Sequence, residues 1–337
     1  MKLRYQPFDL LLKHTFSIAG HSRASTPLML VQLEHDGFIG YGEASMVPYL
    51  GENIQTATDF LNKVNVAQFK LPFDFTAIHD YLDSIAPSNT AVKAAVDIAL
   101  HDLHGKLTGA PCWQLMQSNP VLMPPTSFTI GIDTPEAMRQ KAIEAKNFSV
   151  IKVKLGSDDD KLRIAAIRSV SDVPLYVDVN QGWTDKNIAL EMIWWLFEQG
   201  VILLEQPMPK QDIDGNAWIT SQSPIPIIGD EAVQRLADVE KAVDVYHGIN
   251  VKLMKSGGMF EAKQMIDKAR QCGLKVLIGC MSESSCATLA AAALAPQCDW
   301  ADIDGPFLTT NNPYEVPDFA DGKYILSDDA GLGLKLK

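Results

Sequence analysis

The chain has 337 residues, of which 47% are hydrophobic and 21% are charged, a composition typical of a globular protein with an ample core. Its net charge of −12 argues against nucleic acids and anionic membranes as partners. The five cysteines show no C-x-x-C spacing, so we expect free thiols without a disulfide framework or a zinc site. The amino terminus lacks the apolar core of a signal peptide, and no apolar run is long enough to span a bilayer. We therefore expect a cytoplasmic protein.

The beginning of the chain has the pattern of β-strands. Residues 28–33 and 38–43 are rich in apolar residues, and the glycine-containing segment 35–37 between them predicts a β-hairpin. Residues 16–26 are polar and contain glycine, so we expect a loop there.

Helical patterns follow over residues 53–118, and the clearest covers residues 90–107, with Gly109 just past its end. His101 and His104 lie on this helix three residues apart. Because no third ligand is near them in sequence, we expect surface or packing residues rather than a metal site. Strands followed by helices are typical of an α+β domain, which we assign to residues 1–120.

Strand and helix patterns alternate over residues 121–305. The candidate strands are residues 126–132, 149–155, 174–180, 201–206, 225–230, 248–254, 274–280 and 299–304. With seven helical patterns between them, they predict an α/β fold of the TIM-barrel type, modified to seven βα units plus a closing strand. A doubly wound open sheet is the alternative, although no G-x-G-x-x-G follows the first strand. The Pro-, Asp- and Gly-rich residues 306–337 are expected to return and complete the first domain.

Two lysines stand in the second of these strands. Lys152 and Lys154 are two residues apart, so their side chains point to the same face of the strand. Mutual repulsion and desolvation would favour the neutral amine, which can act as a base. The alternative is an edge strand with one solvated face.

Further charged residues follow at the ends of later strands. After Lys154 come Asp178, Glu205, Asp230, Lys252 and Asp302. The successive intervals are 24, 27, 25, 22 and 50 residues, and the last interval spans two βα units. Strand ends of a barrel converge on its catalytic face. The alternative is a salt-bridge network between these acids and the lysines.

Asp178, Glu205 and Asp230 stand on three consecutive strands and form a set of hard oxygen ligands that suits one Mg²⁺. Lys154 lies on the strand before them and Lys252 on the strand after. The order predicts two bases on opposite sides of the metal, one removing an α-proton next to a carboxylate and the other returning it.

These motifs together resemble the enolase superfamily, and within it the muconate-lactonising subgroup. The resemblance covers essentially the whole chain: Lys152-Val153-Lys154 matches the family's K-x-K motif, the three acids match its metal ligands and Lys252 matches its second base. Enolase-type sites use a lysine or histidine base with Mg²⁺ on an enediolate, so this chemistry is what the resemblance implies. It also implies that residues 1–120 cap the barrel, that Lys152 tunes Lys154 and contacts the substrate carboxylate, and that Lys255 is a loop residue rather than a base.

Asp302-Ile303-Asp304 resembles the D-x-D motif of dipeptide epimerases, in which two acids hold the substrate's ammonium group; a capped turn before Pro306 is the alternative. No basic residue follows closely in sequence, so we expect the substrate to supply the cation. His21 and Arg23 fall near the position where Ala-Glu epimerases carry an arginine for the glutamate side chain, without a clear match. Thr129 on the first barrel strand is a further candidate substrate contact.

The resemblance implies a Mg²⁺-dependent dipeptide epimerase, an isomerase that inverts the α-carbon of the C-terminal residue. An o-succinylbenzoate synthase-like dehydratase and an N-acylamino-acid racemase share the same lysines and metal and stay open as alternatives. A non-catalytic protein that reuses the fold is a third possibility, against which the intact lysines argue. The expected partner is a small dipeptide, and a homo-oligomer is possible.

Overall fold

The computed structural model describes residues 1–18 and 21–337, and the side chains of Ile18 and His21 lie outside the described part. The helices of the described chain are α1 (Ile54–Leu61), α2 (Phe75–Ile85), α3 (Thr90–Thr108), α4 (Cys112–Leu115), α5 (Pro135–Glu144), α6 (Asp160–Arg168), α7 (Lys186–Glu198), α8 (Ile213–Gln222), α9 (Leu236–Val239), α10 (Leu253–Ser256), α11 (Met259–Gln271) and α12 (Ser285–Ala292). The strands are β1 (Lys2–Ile18), β2 (His21–His35), β3 (Phe38–Ser45), β4 (Phe128–Ile130), β5 (Ile151–Lys154), β6 (Leu175–Asp178), β7 (Val201–Glu205), β8 (Ile227–Gly229), β9 (Gly248–Lys252), β10 (Lys275–Gly279), β11 (Trp300–Asp302), β12 (Phe319–Ala320) and β13 (Lys323–Tyr324).

Strands β1, β2 and β3 form an antiparallel sheet in that order, and the predicted hairpin is its β2–β3 pair. The loop expected at residues 16–26 is wrong for the described residues, because β1 and β2 continue as a ribbon in which Phe16 pairs with Arg23 and Ser17 with Ser22. The two strands pair through their backbones although their side chains here are polar, since such a ribbon needs no apolar face. Residues 19–20 of the predicted loop lie outside the described residues.

The helix predicted at residues 90–107 is α3, which packs against this sheet. Gly40 and Gly42 of β3 permit the contact: a Cβ atom at Gly42 would lie 1.8 Å from the carbonyl oxygen of Ala95. His101 is 2% exposed, and its Nδ1 lies 2.9 Å from the carbonyl oxygen of Asp97. It is therefore a packing residue, as expected.

The remaining strands form one parallel sheet of eight, in the order β11-β10-β9-β8-β7-β6-β5-β4. Each lies within its predicted segment, and helices separate successive strands, which confirms seven βα units plus a closing strand. The first and last segments meet through a bridge between Thr126 and Ala301 and a hydrogen bond from the Ser127 N–H to the Ala301 carbonyl. This meeting of the ends rules out the doubly wound open sheet.

The barrel interior is layered. A cluster at the bottom is apolar and consists of Val150, Tyr176, Leu203, Ile228 and Leu277. Side chains of a strand alternate with period two, so the residues two positions further along these strands also point inward. The layer above the apolar floor carries Lys152, Asp178, Glu205, Asp230 and Gly279, all at the C-terminal end of the sheet. The sequence therefore places its charges at one end of a barrel whose other end is hydrophobic.

The C-terminal segment runs back over the first domain. The N–H of Cys112 donates to the carbonyl of Gly331, and the N–H of Leu332 donates to the carboxylate of Asp102, 2.8 Å away. The domain boundaries at residues 120 and 305 stay a prediction. No helix within the described residues is both long and apolar enough to cross a membrane.

Candidate active site

The predicted charged residues come together because the strands are in register. Lys154 pairs with Asp178, which pairs with Glu205, so three adjacent strands end at the same level. Asp230 follows directly after β8, and Lys252 and Asp302 end β9 and β11. Strand pairing alone therefore brings successive residues that are 22 to 50 positions apart in sequence to one rim.

Asp178, Glu205 and Asp230 form a buried carboxylate triad, with exposures of 0%, 0% and 2%. One oxygen from each lies within 4.8 Å of the others. The three donors are hard carboxylate oxygens, with no nitrogen or sulfur ligand in the group, so the residues fit a Mg²⁺ ion.

The charges around the triad set the pKa values of its acids. Burial raises the pKa of Glu205 to about 7, helped by the negative charge of Asp178. For Asp178 burial acts in the same direction, but Lys154 and Lys152 outweigh it and lower the pKa to about 2. Lys252 and Lys255 likewise hold the pKa of Asp230 well below its usual range despite burial. Without a divalent cation, the lysines supply the positive charge that the acids require.

Lys154 and Lys252 reach this triad from opposite sides. The Nζ of Lys154 lies 2.5 Å from Asp178 and that of Lys252 lies 2.7 Å from Asp230. Between their strands, β5 and β9, lie the three strands that lead to the acids. A substrate carbon above the triad would thus have an amine on each face, the arrangement that proton removal and return require.

Lys152 differs from the prediction of a neutral amine. Burial does favour its neutral form, but Asp302, Glu205 and Asp178 outweigh burial and raise its pKa well above the usual value. Its Nζ donates to Glu205 and to Asp302, each at 2.6 Å. Lys152 is therefore a charged bridge between the triad and the closing strand, and the salt-bridge alternative correctly describes this residue.

Asp302 and Asp304 lie where the closing strand meets the first barrel strand. The Ser127 hydroxyl donates to Asp302 at 2.7 Å, and the Thr129 N–H donates to Asp304 at 2.6 Å. Asp304 follows the end of β11 and makes no side-chain cap to the 3₁₀ turn at Gly305–Leu308, which removes the capped-turn alternative. The expectation that no basic residue balances these acids is wrong for Asp302, since Lys152 reaches it from a strand 150 positions away in sequence.

Among the described residues, no lysine lies within hydrogen-bonding distance of Asp304. Burial, together with the charge of Asp302, raises the pKa of Asp304 to about 7. A cation from outside would stabilise its charged form. Thr129, predicted as a substrate contact, holds both acids, because its hydroxyl also lies 3.2 Å from Asp302.

The sequence expectation for Lys255 is wrong: it lies in α10, is fully buried and is not a loop residue. Its ammonium donates to the Asp230 carboxylate at 2.6 Å and to the carbonyl groups of Asp230, Val233 and Asn250, each at 2.8 Å. Lys255 therefore fixes one oxygen of a predicted metal ligand and leaves the other to face the cavity.

Asn250 is a site residue that we did not single out from sequence. Its amide donates to Glu205 at 2.7 Å, from a fully buried position on β9. The signal was available, since Asn250 lies two residues before Lys252 and so faces the barrel interior. Glu231 was also missed; it lines the cavity, and burial together with Asp230 raises its pKa to about 7.

The first domain closes the cavity above the barrel rim. Arg23 donates to the Ser282 hydroxyl at 2.9 Å, and the Ser45 hydroxyl donates to the Ser282 carbonyl at 2.7 Å. Within the described residues, Arg23 makes no ion pair with a carboxylate, and its Nε is buried without a partner. The side chain of His21, the other substrate contact predicted in this part of the first domain, lies outside the described part of the chain.

The resulting cavity has a volume of about 110 Å³. Its walls contain both predicted bases, Asp302 and Asp304, and Arg23 of the first domain. It is the space in which one small charged molecule would contact all of these groups together.

Two family profiles match the chain. The profile described as enolase C-terminal domain-like covers residues 136–337. The profile of the mandelate racemase/muconate lactonizing enzyme N-terminal domain covers residues 8–117. The chain belongs to the mandelate racemase/muconate lactonizing enzyme family. The resemblance to the muconate-lactonising subgroup of the enolase superfamily is thereby confirmed.

Several members of this family are similar over the full length. The L-Ala-D/L-Glu epimerase of Bacteroides thetaiotaomicron is 49% identical over 99% of this chain and 88% of its own. An L-Ala-D/L-amino acid epimerase of Pedosphaera parvula is 40% identical over 93% and 92% of the two chains. The crystal structure of the dipeptide epimerase from Enterococcus faecalis, complexed with Mg and the dipeptide L-Leu-L-Tyr, has a TM-score of 0.92 and 32% identity, covering 99% of this chain and 98% of that one.

Proposed function

We propose that this protein is a Mg²⁺-dependent dipeptide epimerase that inverts the α-carbon of the C-terminal residue by two-base proton transfer. The observation that carries the proposal is the position of Lys154 and Lys252 on either side of the carboxylate triad. Relatives named as dipeptide epimerases support it.

Each part of the site has a role in this reaction. Asp178, Glu205 and Asp230 would hold one Mg²⁺ ion, which would supply positive charge that stabilises a developing enediolate. Lys154 removes the α-proton from one face and Lys252 returns one to the other, and in the reverse direction they exchange roles. For either to act as a base, its ammonium group must leave its present carboxylate and lose its proton.

The two acids on the closing strand select the substrate's amino group. Asp304 lacks a cationic partner in the described chain, and an ammonium group placed between it and Asp302 supplies one. N-acylated amino acids lack that charge, which favours a free dipeptide over the substrates of an N-acylamino-acid racemase. A dehydratase of the o-succinylbenzoate synthase type would have no use for an ammonium site.

Arg23 recognises the side chain of the residue that is inverted. Its guanidinium lies at the cavity beside Phe16 and has no carboxylate partner among the described residues. A glutamate side chain would supply this partner, so the proposed substrates are dipeptides with a C-terminal Glu. His21 lies two residues away and is a second candidate for this contact.

The test is exchange of the α-proton in D₂O with Mg²⁺, followed by mass spectrometry and chiral chromatography. We expect L-Ala-L-Glu to gain deuterium and to form L-Ala-D-Glu. The chelator-treated protein should do neither. Release of water from a hydroxy acid, with no exchange into any dipeptide, would favour the dehydratase.

A variant of Arg23 tests the choice of side chain. Arg23→Gln should lower kcat/KM for L-Ala-L-Glu roughly tenfold to a hundredfold, the equivalent of a charge-assisted contact of about 1.5–3 kcal/mol, and should spare L-Ala-L-Leu. Arg4→Gln is the matched control, because Arg4 pairs with Glu34 on the exposed side of the first sheet. The homo-oligomer and the cytoplasmic location stay predictions.

A further inference from the structure

A second cavity, of about 220 Å³, lies beside the candidate active site. The two cavities have four lining residues in common: Phe16, Thr129, Ser282 and Leu308. Thr129 is the residue whose N–H holds Asp304. The second cavity therefore adjoins the site at the acids that are proposed to hold the substrate's ammonium group.

Four phenylalanines and two leucines supply the apolar walls of this cavity. Phe148 lies against Phe128 and Phe307, with ring centroids 5.0 and 5.2 Å apart. Such faces favour aliphatic and aromatic groups, which gain burial and edge-to-face contacts there. The lining therefore favours an apolar occupant.

The charged groups at the outer end of the cavity already have partners. Lys141 donates to Asp133 at 2.9 Å, and the ring of His14 lies 3.2 Å from the Glu144 carboxylate. Lys13, the remaining charged lining residue, is exposed at the surface. Little in the cavity would hold a buried charge on an occupant.

We propose that this cavity receives the side chain of the dipeptide's N-terminal residue and favours a large apolar or aromatic side chain over the methyl group of alanine. The inference rests on the proposed function, because an ammonium group between Asp302 and Asp304 places the adjoining α-carbon beside Thr129. A single water needs only roughly 10–15 Å³ of such volume, so 220 Å³ far exceeds what a methyl group fills.

The direct test compares L-Ala-L-Glu, L-Leu-L-Glu and L-Phe-L-Glu by α-proton exchange in D₂O. We expect kcat/KM for at least one of the larger substrates to exceed that of L-Ala-L-Glu by roughly tenfold or more, the usual effect of filling an apolar pocket. Equal or lower values for both larger substrates would overturn the inference.

A substitution that fills this cavity tests whether the preference for a large side chain arises there. Asn147 lines the cavity, is exposed and makes no side-chain hydrogen bond within the described chain. Asn147→Trp should lower the Leu-to-Ala ratio of kcat/KM at least roughly tenfold. Ile143→Trp, at an exposed position in α5 outside the cavity, should leave that ratio unchanged.

The two proposals fail in different ways. Exchange with L-Ala-L-Glu but no gain with larger residues would overturn only the subsite. An unchanged ratio in Asn147→Trp would place the preference elsewhere and also overturn it. No exchange with any of the three dipeptides, in protein that binds Mg²⁺ and unfolds cooperatively, would overturn the epimerase proposal and the subsite with it.

Discussion

The ammonium group of Lys255 lies 2.6 Å from Oδ1 of Asp230, and both side chains are shielded from water, with exposures of 0% and 2%. This cation cannot exchange its partner for solvent. It holds one oxygen of a proposed metal ligand in place, while Oδ2 of the same carboxylate contacts the proposed base Lys252. A structural lysine and a proposed catalytic lysine thus share one carboxylate.

Lys255→Met should destabilise the protein by about 3–5 kcal/mol, because it leaves Oδ1 of Asp230 and three carbonyl groups without their donor. Mg²⁺ should raise the Tm of this variant more than that of the native protein, since the ion replaces the lost charge. Chemical unfolding with and without Mg²⁺ measures both effects. Lys263→Met, which removes a partly exposed pair with Asp267, should cost no more than about 0.5 kcal/mol.

The metal site can be tested without substrate. Asp230→Asn should weaken Mg²⁺ binding in calorimetry by at least about 10–100-fold, the effect already seen when an outer partner of a metal ligand is lost. Chelation should abolish activity in the native protein, and added Mg²⁺ should restore it. Full activity in excess chelator would contradict the assignment of Asp178, Glu205 and Asp230.

The two lysines should be separable by isotope exchange. Lys154→Ala should leave solvent exchange for only one epimer of the substrate, and Lys252→Ala for only the other, since each removes the base on one face. In both variants the epimerisation rate should fall by a factor of about 10²–10⁴. Equal exchange of both epimers in either variant would indicate a single base.

Asp304 should make substrate capture pH-dependent. Its raised pKa of about 7 means that below that pH the free site holds a proton, which must leave before an ammonium group can pair with the carboxylate. We therefore expect kcat/KM for a free dipeptide to rise with pH through about 7, until the substrate's own amine deprotonates near pH 8. The measurement is a pH profile from pH 5.5 to 8.5.

Asp304→Asn should remove that rise and lower kcat/KM roughly tenfold to a hundredfold, following a charge-assisted contact of about 1.5–3 kcal/mol. An N-acetyl dipeptide is the matched control, because without a charged amine it should be a poor substrate for both proteins. If the acetylated compound proves the better substrate of the native enzyme, an N-acylamino-acid racemase replaces the epimerase.

Two buried acids at the junction between the domains should make stability fall with rising pH. Burial raises the pKa of Glu283 to about 8 from an ordinary value of 4.5, and that of Glu43 to about 7. Between pH 4.5 and 8 the folded protein keeps a proton on Glu283 that the unfolded chain has released. The free energy of unfolding therefore decreases across this window.

Glu283→Gln should make the fall of Tm between pH 5 and 8 less steep, because a neutral side chain at this position releases no proton on unfolding. Glu315→Gln, at an exposed position, should leave the slope as it is in the native protein. A native Tm that rises over this range would show that the two acids are charged in the folded protein.

The barrel and its charged rim could be predicted because the information is local and periodic. Strands β5 to β9 are short apolar segments, and a charged residue at or just after the end of each marks the rim, so the spacings of 22 to 27 residues from Lys154 to Lys252 follow the length of a βα unit. Period-two alternation then assigns Lys152 and Lys154 to the interior.

What sequence could not supply was the set of partners. The charge state of Lys152 depends on Asp302 and Glu205, which other strands bring to it, so an argument from its own strand gave the wrong direction. Lys255 is buried because α10 turns back beneath Asp230, and nothing in its local pattern marks that fold. The ribbon of β1 and β2 is stabilised by backbone pairing, which cannot be recognised from its polar side chains.

The first and last strands of the barrel meet with little backbone pairing, at the bridge between Thr126 and Ala301. Much of the joint consists of side chains, with Ser127 on Asp302 and Thr129 on Asp304, groups that are separated by 175 positions in sequence. During synthesis, the proposed amino-group site would thus form late, because it does not exist until the closing strand emerges. A dipeptide bound across this joint would hold the first and last strands of the barrel together. A nascent or damaged barrel that fails to close would lack the proposed amino-group site.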